Sequence, residues 1–128
     1  MFDNLQCYGV LPASDFQRAV RWWKDVFGLE PEADGAPDDG AVMFRIGDTA
    51  LLVYESQFAG TAQNTALGLD TDDLDRDMAA LRERGVVFND YDMPGLQTVD
   101  GVADEGGMRT AWFDDSEGNI IAIGQRTT

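Results

Sequence analysis

The stretch Thr110-Ala-Trp-Phe-Asp-Asp-Ser-Glu-Gly-Asn-Ile-Ile-Ala-Ile-Gly124 organises the reading of this chain. An apolar run is followed by an acidic turn closed by Gly118-Asn119, then by a second apolar run. Gly and Asn tolerate the positive φ that tight turns need, so the pattern predicts a closing hairpin, with strands over 108–114 and 120–125.

Upstream, 65–70 reads as a strand, and Thr71 or Asp72 caps a helix over about 73–84 whose buried stripe is Leu74, Met78 and Leu81. Gly85 ends that helix. Residues 86–93 read as a strand, and 94–107 as a Gly/Asp-rich loop. The first half of the chain repeats this order. A strand over 5–11 is ended by Pro12, and Ser14 or Asp15 caps a helix that starts at Phe16. Ala19, Val20, Trp22, Trp23, Val26 and Phe27 form its apolar face, and Gly28 is its C′ residue. Segment 30–39 is acidic and rich in Pro and Gly, an edge strand at best and then a loop. Strands over 41–46 and 49–55 are joined by Gly47-Asp48 in a type I′ or II′ turn, and 56–64 is a loop of small residues. The chain therefore reads as two consecutive β-α-β-β-β modules, about 1–63 and 64–128, within a single domain. Either module alone is small for a stable core, which makes their pairing physically sensible.

The net charge is −15, from 24 acidic and 9 basic side chains, and Lys24 is the single lysine. Phosphate binding needs a basic field, so nucleic acid and anionic membrane surfaces are excluded as partners. The acidity suits solubility, or dispersal in a high-salt habitat. No apolar run approaches the roughly 18 residues of a membrane span. The start of the chain carries no signal-peptide pattern, so a cytoplasmic location is expected. The lone Cys7 falls in the first strand and is expected to be a buried, inert thiol.

Three segments resemble the vicinal oxygen chelate superfamily, which includes glyoxalases, extradiol dioxygenases, fosfomycin-resistance proteins and bleomycin-binding proteins. They are Ser14-Asp-Phe-Gln-Arg-Ala-Val-Arg-Trp-Trp-Lys-Asp-Val-Phe-Gly28, Leu69-Asp-Thr-Asp-Asp-Leu-Asp75 and Trp112-Phe-Asp-Asp-Ser-Glu-Gly-Asn-Ile-Ile-Ala-Ile123, the last with Ser116 where the family usually has Pro. The resemblance implies an α+β fold in which two βαβββ modules form an open, cupped, eight-stranded mixed sheet.

In the family's metal-dependent members a divalent ion is held by His, Glu or Gln from the first and last strands of each module. Carried onto this chain, those positions fall on Tyr8, Ala66 and Ala122, with the fourth near Leu51 to within one residue. Three are aliphatic, and a phenol with a pKa of about 10 is a weak ligand. The chain has no histidine, so imidazole ligation and Ser-His-Asp or Cys-His catalysis are impossible. Its glycines form no phosphate loop, since 101–107 leads into a strand and not a helix. Glu55 and Asp70 share the parity expected for the inward face, and an all-oxygen site for Mg²⁺ or Mn²⁺ is the remaining metal option.

Strand alternation gives the expected lining. Tyr8 would share its face with Gln6 and Val10. Ala66, Gly68 and Asp70 would line the second module with Ala122, Ile120, Gly124, Thr110 and Trp112, while Phe113 packs under a helix. Tyr8 and Trp112 could stack on a guest and Gln6 could hydrogen-bond it. The expected function is thus metal-independent binding of a hydrophobic or aromatic ligand, including a cationic one, by Tyr8, Gln6, Trp112, Glu55, Asp70, Ala66 and Ala122, with no cofactor. Resemblance to the bleomycin-binding branch adds a homodimer. The alternatives are a metal-dependent lyase or dioxygenase with an all-oxygen site, and an interaction module whose cavity is filled by its own side chains.

Overall fold

The structure is a computed structural model that describes residues 1–32 and 40–127. The chain divides into two units, Met1–Ala59 and Gly60–Thr128.

In the first unit, β1 (Tyr8–Ala13), α1 (Phe16–Phe27), β2 (Ala41–Ile46) and β3 (Thr49–Glu55) follow one another. The sheet order is β1-β3-β2, with β1 parallel to β3 and β2 antiparallel to it. Asp15 caps α1, its carboxylate accepting from the Arg18 N–H at 3.1 Å. Gly28 ends the helix at φ 70°, where a side chain would be strained, and its N–H returns to the Lys24 carbonyl at 2.9 Å. Phe16, Ala19, Trp23 and Val26 are buried. They cover one sheet face, where Leu11, Ala13, Val42, Phe44, Leu51 and Val53 are buried in turn. Each fully buried large side chain contributes about 1.5–3 kcal/mol.

Two expectations are corrected in this unit. Pro12 does not end the first strand but lies inside it, opposite Tyr54. An edge strand tolerates a residue without an N–H. Cys7 precedes β1 and is exposed, not buried. Gly47-Asp48 forms the predicted two-residue turn, closed by the Ile46–Thr49 pair. Only Gly47 has positive φ, 57°, which selects type II′. The Glu32 N–H donates to Met43 O at 2.7 Å, so the chain entering segment 30–39 runs beside β2. The remainder of that expected edge strand and loop lies outside the described residues.

The second unit contains β4 (Thr65–Asp70), α2 (Leu74–Glu83), β5 (Asp92–Met93), β6 (Leu96–Gln97), β7 (Val102–Glu105), β8 (Met108–Asp114) and β9 (Ile120–Arg126). Its sheet order is β4-β9-β8-β7. The path matches that of the first unit: first strand, helix, then a last strand parallel to the first. The helix cap is Asp73, accepting from the Arg76 N–H at 3.0 Å, and not Thr71 or Asp72. Leu74, Met78 and Leu81 form the buried stripe as expected. Of the expected strand over 86–93 only Asp92–Met93, β5, is formed, and it pairs with β6. Val86 and Phe88 are buried and Val87 is 79% exposed; Phe88 bridges Phe113 and the Asn89 N–H donates to the Trp112 carbonyl, so the segment touches the edge of β8 without forming a ladder. The expected loop over 94–107 instead holds β6 and β7.

The fold is α+β, as expected. Among the described residues the implied eight-stranded sheet is resolved as a three-stranded and a four-stranded sheet, with β5-β6 as a separate hairpin.

Candidate functional site

Each sheet has one face under its helix and one face away from it. In the first unit the outer face carries the rungs Tyr8–Ala50, Val10–Leu52 and Pro12–Tyr54. Tyr8 and Val10, on the edge strand β1, are 55% and 46% exposed, and Tyr54 on β3 is 38% exposed.

Three expected placements change here. Leu51 pairs with Gly9 on the helix side and is buried, so Ala50 and Leu52 are the outer-face positions beside Tyr8 and Val10. Glu55 pairs with Ala13 and has the parity of Leu51 and Val53, so its register places it on the α1 side and not on the outer face. Gln6 precedes β1 and is exposed, with no strand register to set its direction.

In the second unit Trp112, Ala122 and Gly68 form one rung across β8, β9 and β4. The Trp112 indole N–H donates to Thr65 Oγ1 at 3.2 Å. Because β9 lies between β8 and β4, the ring crosses β9 on the outer face. The methyl at Ala122 leaves room beside the ring, which reaches toward the Ile120 rung where Thr65 pairs; it does not cover Gly68, where a Cβ would meet nothing within 4 Å. Asp70 pairs with Gly124 and shares this face at the end of β4. Ala66 falls at the register shift between Thr65 and Leu67, so the outer-face partner of Ala122 is Gly68 and not Ala66. Phe113 is fully buried on the helix side, as expected.

Two residues that sequence reasoning did not select complete the surroundings of Trp112. The Tyr91 ring meets the indole at 88°, with centroids 5.7 Å apart. The Asn89 amide donates to Asp114 Oδ1 at 3.1 Å and to the Tyr91 hydroxyl at 3.4 Å. The available signal was an aromatic isolated among polar residues, Asn89-Asp-Tyr-Asp92, which fits a placed contact better than core filling.

The β8–β9 turn fixes this geometry. The buried Asp115 carboxylate accepts from the N–H groups of Glu117 and Asn119, both at 2.9 Å, and from the Asn119 side-chain amide at 2.8 Å. Burial pushes its carboxyl above the usual aspartate range, against the opposing pull of those hydrogen bonds. The backbone at Gly60 packs onto the turn so closely that a Cβ there would lie 2.7 Å from the Glu117 carbonyl oxygen.

On the α2 side, Asp75, Met78, Arg82, Val99, Asp100, Val102 and Arg109 line an open groove of about 330 Å³. Arg109 is tied to Asp75 at 2.9 Å and holds that carboxyl below its usual range.

The residues at the implied metal positions do not fit a divalent ion. The relevant rungs are Tyr8–Ala50 and Val10–Leu52 in one unit and Gly68–Ala122 in the other. They present a single phenol among hydrocarbon, where a divalent ion needs several hard oxygen or nitrogen donors. Among the described residues no three His, Cys, Asp or Glu side chains converge.

Each unit holds a sheet whose last strand is parallel to its first with a helix following the first strand, which defines the class as α+β. The chain belongs to the Glyoxalase/Bleomycin resistance protein/Dioxygenase superfamily, whose family model matches residues 6–123. Among curated proteins none matches the chain. Solved structures share the fold. TnmS3, an antibiotic binding protein from Streptomyces sp. CB03234, is 24% identical with a TM-score of 0.66, over 96% of this chain and 98% of that one. The fosfomycin resistance protein FosX from Mesorhizobium loti is 16% identical with a TM-score of 0.67, over 99% and 95%. An integron cassette protein from V. cholerae is 21% identical with a TM-score of 0.62, over 98% of both chains.

Proposed function

We propose that this protein binds a small hydrophobic or aromatic molecule, including a cationic one, without a metal. The observation that carries the reading is the Trp112 indole lying across β9 at Ala122, where the family's metal-dependent members place a ligand. An aromatic surface stands where a donor atom would be needed. Asp70, Ala66 and Ala122 are proposed to border the guest near Trp112; in the first unit Tyr8 is an exposed ring on the outer sheet face and is proposed as a contact in its own right. A net charge of −15 attracts cations. That an antibiotic binding protein has the same fold is in keeping with small-molecule binding. A homodimer and a cytoplasmic location belong to the same proposal, and no helix among the described residues is long and apolar enough to cross a membrane.

The lyase or dioxygenase alternative requires donor atoms that these rungs do not supply. The test is calorimetric titration with 9-aminoacridine, a planar aromatic cation at neutral pH, in the presence of EDTA. Saturable binding is expected. Binding that appears only after a divalent metal is added would overturn the proposal.

A further inference from the structure

We infer that Asp114, oriented by Asn89 and flanked by Tyr91, forms a charge-selecting rim beside Trp112, so that this face prefers aromatic guests carrying a protonated nitrogen over neutral rings of the same shape. The inference rests on the reading of Trp112 as a stacking surface and adds to it the group that discriminates.

The rim is built by backbone pairing. The Asn89 N–H donates to the Trp112 carbonyl at 2.8 Å, and Phe88 bridges Phe113, so residues 88–89 run along the edge of β8. That fixes the Asn89 side chain over Asp114, which shares the outer face with Trp112 two residues away. One Asn89 amide group then touches both neighbours, Asp114 Oδ1 at 3.1 Å and the Tyr91 oxygen at 3.4 Å.

Each contact leaves capacity for a ligand. Tyr91 accepts from Asn89, so its own hydroxyl proton is available to a guest. Asp114 accepts one bond from a neutral amide and forms no ion pair among the described residues, so its negative charge is oriented but not neutralised. The indole and phenol rings meet edge to face at 88°, so each holds the other in place next to the Asp114 carboxylate. A carboxylate placed there pairs with a cationic nitrogen on the rim of a stacked ring, and a charge-assisted bond exceeds a neutral one. Had Asn89 served only to hold the chain turn, an arginine or lysine beside Asp114 would have been compatible with it. The nearest basic residue in sequence, Arg109, is instead turned to Asp75 on the other side of the sheet.

The test compares two probes of nearly equal shape by calorimetry at neutral pH: 9-aminoacridine, which is cationic, and acridine, which is neutral. Asp114→Asn is expected to weaken 9-aminoacridine by about tenfold or more and to leave acridine within about twofold. Tyr91→Phe is expected to weaken 9-aminoacridine by a few-fold. Trp112→Ala is expected to weaken both probes. If Asp114→Asn affects both probes equally, or neither, while Trp112→Ala weakens both, the rim is refuted and the stacking reading stands. If Trp112→Ala leaves both unchanged with native circular dichroism, the stacking reading itself fails. A second readout is the salt response: added NaCl should weaken 9-aminoacridine more in the wild type than in Asp114→Asn, and an equal response of the two proteins overturns the inference, as does failure of the wild type to bind either probe.

Discussion

Trp112 on β8 and Thr65 on β4, the two strands that flank β9, are joined by a hydrogen bond of 3.2 Å from the indole N–H to the threonine hydroxyl oxygen. A ring that spans a strand in this way needs a small residue beside it, and Ala122 is the β9 partner of Trp112. Ala122→Glu restores the side chain that the family's metal-dependent members use there, but places it under the ring. The expected result is a loss of about 1–3 kcal/mol in urea unfolding, from overpacking and displacement of the indole. Thr65→Val, which keeps the shape and removes the acceptor, should cost about 0.5–1.5 kcal/mol. Wild-type stability in both variants would show that the ring does not lie across the strand.

Gly60 and Gly28 both have positive φ, 74° and 70°, but different surroundings. A Cβ at Gly60 would meet the Glu117 carbonyl oxygen at 2.7 Å, whereas nothing lies within 4 Å of one at Gly28. Gly28→Ala should therefore show only the left-handed backbone cost of about 1–2 kcal/mol. Gly60→Ala should cost more, because backbone must move. Equal losses in chemical unfolding would contradict the packing of Gly60 on the β8–β9 turn.

Two carboxylates make opposite contributions as pH changes. Burial raises the Asp115 pKa in the folded protein. Its contribution to stability is fully present below the ordinary aspartate value of about 3.9 and is lost as pH rises through its own higher value. Hydrogen bonds from Arg76 and then Thr71 lower that of Asp77, so its contribution is present above the ordinary value and is lost as pH falls through its own lower one. The stability cost of Asp115→Asn should therefore be greatest at acid pH and smallest at neutral pH, and that of Asp77→Asn the reverse. Urea unfolding at about pH 3 and about pH 7 checks both signs.

A ligand that binds only the folded state raises the melting temperature. Millimolar Mg²⁺, Mn²⁺, Ni²⁺ or Zn²⁺ should leave that of this protein unchanged beyond the general effect of salt. A specific increase with one of these ions at micromolar concentration would revive the metal-dependent alternative.

Where residue chemistry acted locally, the sequence was a good guide. Asp15 and Gly28 bound α1 as their side-chain and backbone preferences require, and Gly47-Asp48 placed the β2–β3 hairpin. The segment after α2 was harder to read. Pro94-Gly95, Asp100-Gly101 and Gly106-Gly107 are all two-residue turns, closed by the pairs Met93–Leu96, Val99–Val102 and Glu105–Met108. They read as a single loop because the strands between them are short and polar, without the alternation that marks a half-buried strand. At the site, alternation placed Trp112, Ala122 and Asp70 on one face. It misplaced Glu55 because Tyr8 and Leu51 cannot share a face once Gly9 pairs with Leu51. Tyr91 and Thr65 needed register across three strands, which no local pattern encodes.

The most direct test of metal-free binding is a calorimetric titration of the wild-type protein and Trp112→Ala with 9-aminoacridine in EDTA. The account predicts saturable wild-type binding, unaffected by the chelator and weakened about tenfold or more in the variant. Binding that depends on an added divalent metal, or equal affinity of the two proteins, would contradict it.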